Sequence, residues 1–137
     1  MENYGCQCRE IMFDIEKDIA ELLEDCEYDK RNNPDDKIPT PISIDKLKRV
    51  LATINGCVSD IPDGIKRAIF PTEEGGANCS IQTAEHVRIS IDICPKGEWM
   101  DILILGDKSY KKKSNHSANN MRVIRDICEK LITTKGG

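Results

Sequence analysis

Apolar residues recur in steps of three and four from Met12 through Ile15, Ile19 and Leu22 to Cys26, and Ile11 and Leu23 widen the stripe. That period is the α-helical one, so residues 9–26 are predicted to form an amphipathic helix. Glu16, Lys17, Asp18, Glu21, Glu24 and Asp25 stand on the opposite side and make an acidic, solvated face. The stripe spans little more than two heptads, too short for a coiled coil, and is assigned to the domain core rather than to a subunit seam.

Residues 27–42, EYDKRNNPDDKIPTPI, break the period. Three prolines and a polar run read as a long connector, kept extended at Pro39 and Pro41 because proline fixes its own φ and turns the preceding residue away from helix. Helical spacing resumes with Leu47, Val50, Leu51 and Ile54, with Ser43 or Asp45 as the N-cap and Asn55-Gly56 as the stop. The period then changes to two. Between His86 and Ile93, Val87, Ile89, Ile91 and Ile93 alternate with Arg88, Ser90 and Asp92, which predicts a half-buried strand. Pro95-Lys96-Gly97 turns the chain into a second strand from Trp99 to Leu105, apolar on both faces and therefore interior, so the two form a hairpin. Residues 65–70 and 78–83 are shorter flanking strands around a Gly-rich loop at 73–77, although IKRAIF also fits the opening of a helical turn.

Residues 117–132 return to helical spacing, with Met121, Ile124, Ile127, Cys128, Leu131 and Ile132 inward and Arg122, Arg125, Asp126 and Glu129 outward. Helix, helix, strands, helix, without repeated βαβ units, predicts an α+β fold. A mainly antiparallel sheet carries an N-terminal helix, a second helix and a C-terminal helix packed on it, in a single domain over residues 1–137.

Charge changes this picture in one place. The chain has a formal net charge of -4, yet residues 108–125, KSYKKKSNHSANNMRVIR, hold six of its twenty Lys and Arg and no Asp or Glu. As a loop running into the last helix, capped by Ser117 or Asn115, the segment puts cations beside a helix N-terminus, which already carries about half a positive charge. An anion offsets that arrangement, and free N–H groups, Arg122, Arg125, Asn119 and Asn120 make a cradle suited to phosphate or nucleotide. The i, i+4 spacing of Arg122 with Asp126 and of Arg125 with Glu129 also accounts for a solvated helix face without any ligand.

Other classes recede. No apolar run approaches the ~20 residues of a membrane span. The N-terminus lacks a secretory pattern, so a cytoplasmic location with reduced cysteines is expected. Seven cysteines at irregular spacing, with only Cys6 and Cys8 close together, and two isolated histidines do not make a zinc site, and no cofactor is implied. Cys26, Cys57, Cys94 and Cys128 read as small apolar side chains. Few aromatics and an acidic remainder disfavour long nucleic acid, whereas one of Trp99, Phe70 or Tyr110 suffices to stack a single base. Phosphate-loop, dinucleotide, deaminase and hydrolase motifs are missing, so an enzyme is not expected. His116 is the one candidate general acid or base, for a small phosphodiesterase. A protein-interaction inhibitor using the acidic first helix or the basic segment is the other alternative.

The succession of PISIDKL helix, IDICPKGEWMDILI hairpin and closing SANNMRVIRDICEKL helix in a small acidic chain resembles the Thoeris anti-defence family of phage proteins. The resemblance covers roughly residues 42–131. It implies a homo-oligomeric sponge that sequesters a cyclic ADP-ribose-type immune signal, a small cyclic nucleotide, in the host cytoplasm without cleaving it. It further implies that Arg122 and Arg125 grip the phosphates and that Asn119 or Asn120 reads polar atoms. Trp99 or Phe70 would then carry the adenine, and Arg67 or Arg88 would add a basic contact.

Overall fold

Asp14 turns the chain into the first helix, α1 (Ile15–Asn32), by accepting the Lys17 N–H while the Asp18 carboxylate accepts its own N–H, at 3.4 and 3.1 Å. The computed structural model describes residues 11–106 and 111–132. Within them the helix begins at Ile15, later than the stripe implied, because Met12 and Phe13 are buried ahead of it in a non-helical segment. It also continues six residues beyond Cys26, through the polar run predicted to be a connector. That last stretch is exposed throughout and so needs no apolar stripe, and Lys30 and Arg31 suit the negative end of the helix. Ile19, Leu22 and Cys26 are buried in the domain's own core.

The second helix, α2 (Pro41–Cys57), is capped by Thr40 instead of Ser43 or Asp45. The Thr40 hydroxyl accepts the Ser43 N–H at 3.2 Å and donates to the Pro95 carbonyl, while the Thr40 N–H donates to Gly75. Pro41 fills the first helical position, where its missing N–H costs nothing. Asn55-Gly56 does not stop the helix, which reaches Cys57. Asn55 instead clamps both backbone groups of Phe13, accepting its N–H at 2.9 Å and donating to its carbonyl at 2.8 Å.

Five antiparallel strands follow, β1 (Lys66–Pro71), β2 (Ala77–Gln82), β3 (Arg88–Ile93), β4 (Trp99–Leu105) and β5 (Lys111–Ser117), each paired with its neighbour in the chain. IKRAIF is thus a strand. His86 lies outside β3 because it adopts a left-handed φ of 69° in the turn after β2. The β1–β2 turn requires glycine at 76, where a Cβ would stand 2.1 Å from the Ile93 carbonyl oxygen. β5 was not predicted. Residues 111–113, read as a loop, are its first half, and the last helix starts at Met121 rather than Ser117. This third helix, α3 (Met121–Ile127), is capped by Asn120 rather than Ser117 or Asn115 and passes into a π-type turn over Cys128–Ile132.

The alternation of each strand divides the sheet sharply. Ala77, Cys79, Ile81, Ile89, Ile91, Ile93, Met100, Ile102 and Ile104 point to one side and join Leu47, Val50, Leu51, Ile54, Ile124 and Cys128 in the core. Burying each larger side chain contributes about 1.5–3 kcal/mol, so this layer dominates folding. The fold is α+β, with all three helices contributing to the core on one side of the sheet. The opposite face of the sheet carries no helix among the described residues.

Candidate functional site

The register defines what the open face displays. Side chains directly opposite across an antiparallel pair share a face, so the open side has a first row of Lys66, Gln82, Arg88, Leu105 and Lys111. A second row holds Ala68, Ser80, Ser90, Leu103 and Lys113, and a third holds Phe70, Asn78, Asp92, Asp101 and Asn115. Trp99 and Ser117 follow below. Rows lie about 7 Å apart along the strands and neighbours about 4.8 Å apart across them. The first two rows therefore carry Lys66, Arg88, Lys111 and Lys113 with no carboxylate, while Asp92 and Asp101 stand in the third.

A hollow of about 360 Å³ lies in the basic half, lined by Lys66, Ala68, Phe70, Ser80, Gln82 and Arg88, with Arg67 and Ile81 at its margin. Phe70 is 49 % exposed and stands beside the small side chains of Ala68 and Ser80, which leave room for a flat group against its ring. Arg88 approaches the Gln82 side-chain oxygen at 3.4 Å, a long contact that leaves most of its guanidinium donors uncommitted to that residue. Arg67 behaves differently. It points toward the helix side, opposite Ile81, and its Nε donates to the Met12 carbonyl at 2.6 Å, tying the segment before α1 to β1.

The third row is a polar network. Asn78, only 8 % exposed, donates to Ser90 at 2.9 Å and to Asp92 at 2.5 Å, and accepts the Ser80 hydroxyl at 2.7 Å. Asn115 donates to Asp101 at 2.6 Å. Below it a second hollow, about 350 Å³, gathers Glu73, Glu74, Asp92 and Asp101 around Trp99 and Cys94. Four carboxylates make this end unfavourable for phosphate. Trp99 stands six residues along β4 from Leu105, the neighbour of Arg88, or about 20 Å away.

The residues predicted around the last helix lie in the other layer. Asn120 accepts the Val123 N–H as the cap of α3, Asn119 accepts a hydrogen bond from the Lys46 ammonium of α2, and Arg122 and Arg125 are exposed. The lysines that made the helix start unfavourably positive sit at the far end of β5, with Lys113 four residues or about 13 Å before Ser117. Only Arg122 remains in the first turn. Of the eight residues named from the sequence, Phe70 and Arg88 line one hollow, with Arg67 at its margin but turned to the helix side; Trp99 stands at the acidic end, and Asn119, Asn120, Arg122 and Arg125 form a separate group. Lys66, Gln82, Lys111 and Lys113 were missed as site residues. The alternation of β3 fixed the outward side of Arg88, but no apolar alternation marked β5, whose inward positions are Lys112, Ser114 and His116. The His116 ring bonds the Ser114 hydroxyl at 2.9 Å.

The thiols divide in two. Among the described residues Cys26, Cys57, Cys79, Cys94 and Cys128 form no disulfide. Burial, reinforced by Cys57 and Glu129, pushes Cys128 up to about 12, and burial with Cys128 nearby raises Cys79 further. Cys94 is half-buried in the β3–β4 turn. Burial acts to raise it, but backbone N–H groups of Trp99, Glu98, Lys96 and Gly97 outweigh that and leave it below the ordinary thiol value. Cys6, Cys8 and Tyr110 lie outside the described residues. Among the described residues there is no group of three or more metal-ligating side chains, and no helix is long and apolar enough to cross a membrane. Comparison with protein-family models, with curated proteins and with solved structures returns no match to this chain.

Proposed function

We propose that this protein binds a small phosphate-bearing nucleotide on the open face of its sheet and does not cleave it. The observation that carries this reading is the convergence of exposed Phe70 with Lys66 and Arg88 on one hollow whose lining contains no carboxylate. Phe70 offers a stacking surface, Ala68 and Ser80 leave space over the sheet, and Arg88 can grip phosphate oxygens through two parallel N–H donors. Lys111 and Lys113 on the same half of the face add attraction that salt screens. The acidic third row, with Asp92 and Asp101, limits the ligand's reach down the strands and favours a compact molecule over a polyphosphate chain.

The resemblance to phage anti-defence sponges supplies the concrete ligand, a cyclic ADP-ribose-type immune signal sequestered in the host cytoplasm by an oligomer of this chain. Two phosphates and one adenine suit one aromatic and a few basic side chains. The test is titration of the purified protein with cyclic ADP-ribose isomers by calorimetry, followed by heat denaturation and mass spectrometry of the released molecule. Intact ligand is expected, and a changed mass or retention time overturns binding without cleavage. Arg88→Ala is expected to weaken binding about tenfold, the lower end of a charge-assisted contact worth ~1.5–3 kcal/mol, because the side chain is exposed. Phe70→Ala weakens it similarly, and Arg122→Ala leaves it unchanged. The reverse order would move the site to the start of α3.

A further inference from the structure

A different part of the molecule offers a surface for protein. A cleft of about 710 Å³ runs between α1 and β1, next to the open-face hollow, with which it shares Lys66, Arg67 and Ala68. Its wall includes four consecutive strand residues, Lys66, Arg67, Ala68 and Ile69. Successive strand side chains point to opposite faces, so four in a row line one cleft only when it follows the strand's edge. Among the described residues that edge is free, because β1 is the first strand of the sheet and pairs with β2 alone. Its unpaired N–H and C=O groups are a template for another extended chain.

The opposite wall leaves the lining net acidic, with four carboxylates against Lys66 and the Arg67 side chain that is held by the Met12 carbonyl, and so selects a basic chain. Asp14, Asp18, Glu21 and Asp25 all line the cleft from α1, at the three- and four-residue spacing that stacks them on one stripe. Like charges so placed repel one another. Asp14 and Asp18 are engaged in capping the helix, but Glu21 and Asp25 are exposed. The apolar floor comes from Ile11, Leu22, Ile65 and Ile69. We propose that this cleft takes an extended, basic protein segment that adds to β1 as a sixth strand. Its Lys or Arg side chains, at alternate positions, meet the α1 carboxylates. The intervening positions lie on the open-face side beside Ala68 and Lys66, which favours small or apolar residues there. From Ile65 to Ile69 the edge accommodates about five residues.

The test uses the full chain and fluorescent five-residue peptides. Lys-Val-Lys-Val-Lys is expected to bind and to perturb β1 amide signals in NMR. Glu-Val-Glu-Val-Glu is expected not to bind, and N-methylating alternate amides of the basic peptide should abolish binding without altering its charge. Glu21→Gln with Asp25→Asn, both exposed positions, should weaken the basic peptide about tenfold while melting like the parent. Equal binding of the two peptides, or binding indifferent to N-methylation, overturns strand addition in favour of surface charge attraction. Two further results also overturn the proposal. One is peptide binding that appears only after residues 1–10 are removed, which assigns the cleft to this chain's own start. The other is a β1-mediated dimer in light scattering that excludes the peptide, which assigns the cleft to a second copy. Because Phe70 and Arg88 lie outside the cleft, Arg88→Ala separates failure here from failure of the nucleotide reading.

Discussion

Replacing Asn55 with alanine tests how the start of α1 is anchored. The Asn55 amide holds the Phe13 backbone from both sides, at 2.9 Å to its N–H and 2.8 Å from its carbonyl, across 42 residues of sequence. Phe13 is 2 % exposed, so its backbone groups cannot all turn to water once the amide is gone. Each such bond contributes about 1 kcal/mol net, and stranding part-buried partners raises the loss, giving ~2–3 kcal/mol for Asn55→Ala. For a domain of this size that corresponds to a fall in melting temperature of about 6–12 °C. Thermal denaturation followed by circular dichroism measures it. Asn32→Ala is the control, because Asn32 donates to the Tyr28 carbonyl at an exposed site and should change stability by less than about 0.5 kcal/mol. If Asn55→Ala melts within about 2 °C of the parent, the clamp does not hold the pre-helical segment and the argument fails.

Gly76→Ala should destabilise the fold by ~1–3 kcal/mol or more, since the added Cβ would meet the Ile93 carbonyl oxygen at 2.1 Å; a melting temperature equal to the parent's would contradict the turn geometry. Among the described thiols, iodoacetamide at neutral pH should modify Cys94 ahead of Cys79 and Cys128, as peptide mass spectrometry can read, because its backbone N–H donors favour the thiolate. At alkaline pH the buried thiols act in the opposite direction. The Cys128 value rises from 9.0 unfolded to about 12 folded, so its contribution is complete below pH 9 and falls as pH climbs toward 12. Urea titrations between pH 8 and 11 should show a shallower loss for Cys128→Ala, by up to about 1.4 kcal/mol per pH unit, and equal slopes would count against it.

The helix and strand periods were readable wherever a residue's environment depended on its own element. Ile89, Ile91 and Ile93 announced β3 because the helix layer covers one side and water the other. Residues 27–32 did not announce a helix, since an exposed helical end needs no apolar stripe. β5 was hidden for a related reason. As the edge strand beside β4 it carries Lys112, Ser114 and His116 on its inward side, so its partner strand and not its own sequence makes it a strand. That misreading moved the candidate site. Three lysines assigned to a loop at a helix start belong to a sheet, where Lys111 and Lys113 join Arg88 instead of Arg122. Individual chemical types were legible in the sequence, whereas their grouping required the register.

The unbroken order β1-β2-β3-β4-β5 also has a kinetic meaning. Each strand can zip onto its predecessor through a short hairpin, and contacts so close in sequence speed folding. The helices face a harder problem during synthesis. α1 and α2 leave the ribosome before any strand exists, yet Leu47, Val50 and Leu51 need the inner sides of β2 and β3 to cover them. Until about residue 93 has emerged, the nascent chain must carry an uncovered oily face. The acidic exterior of α1 puts like charge on every unfinished chain, which opposes their association.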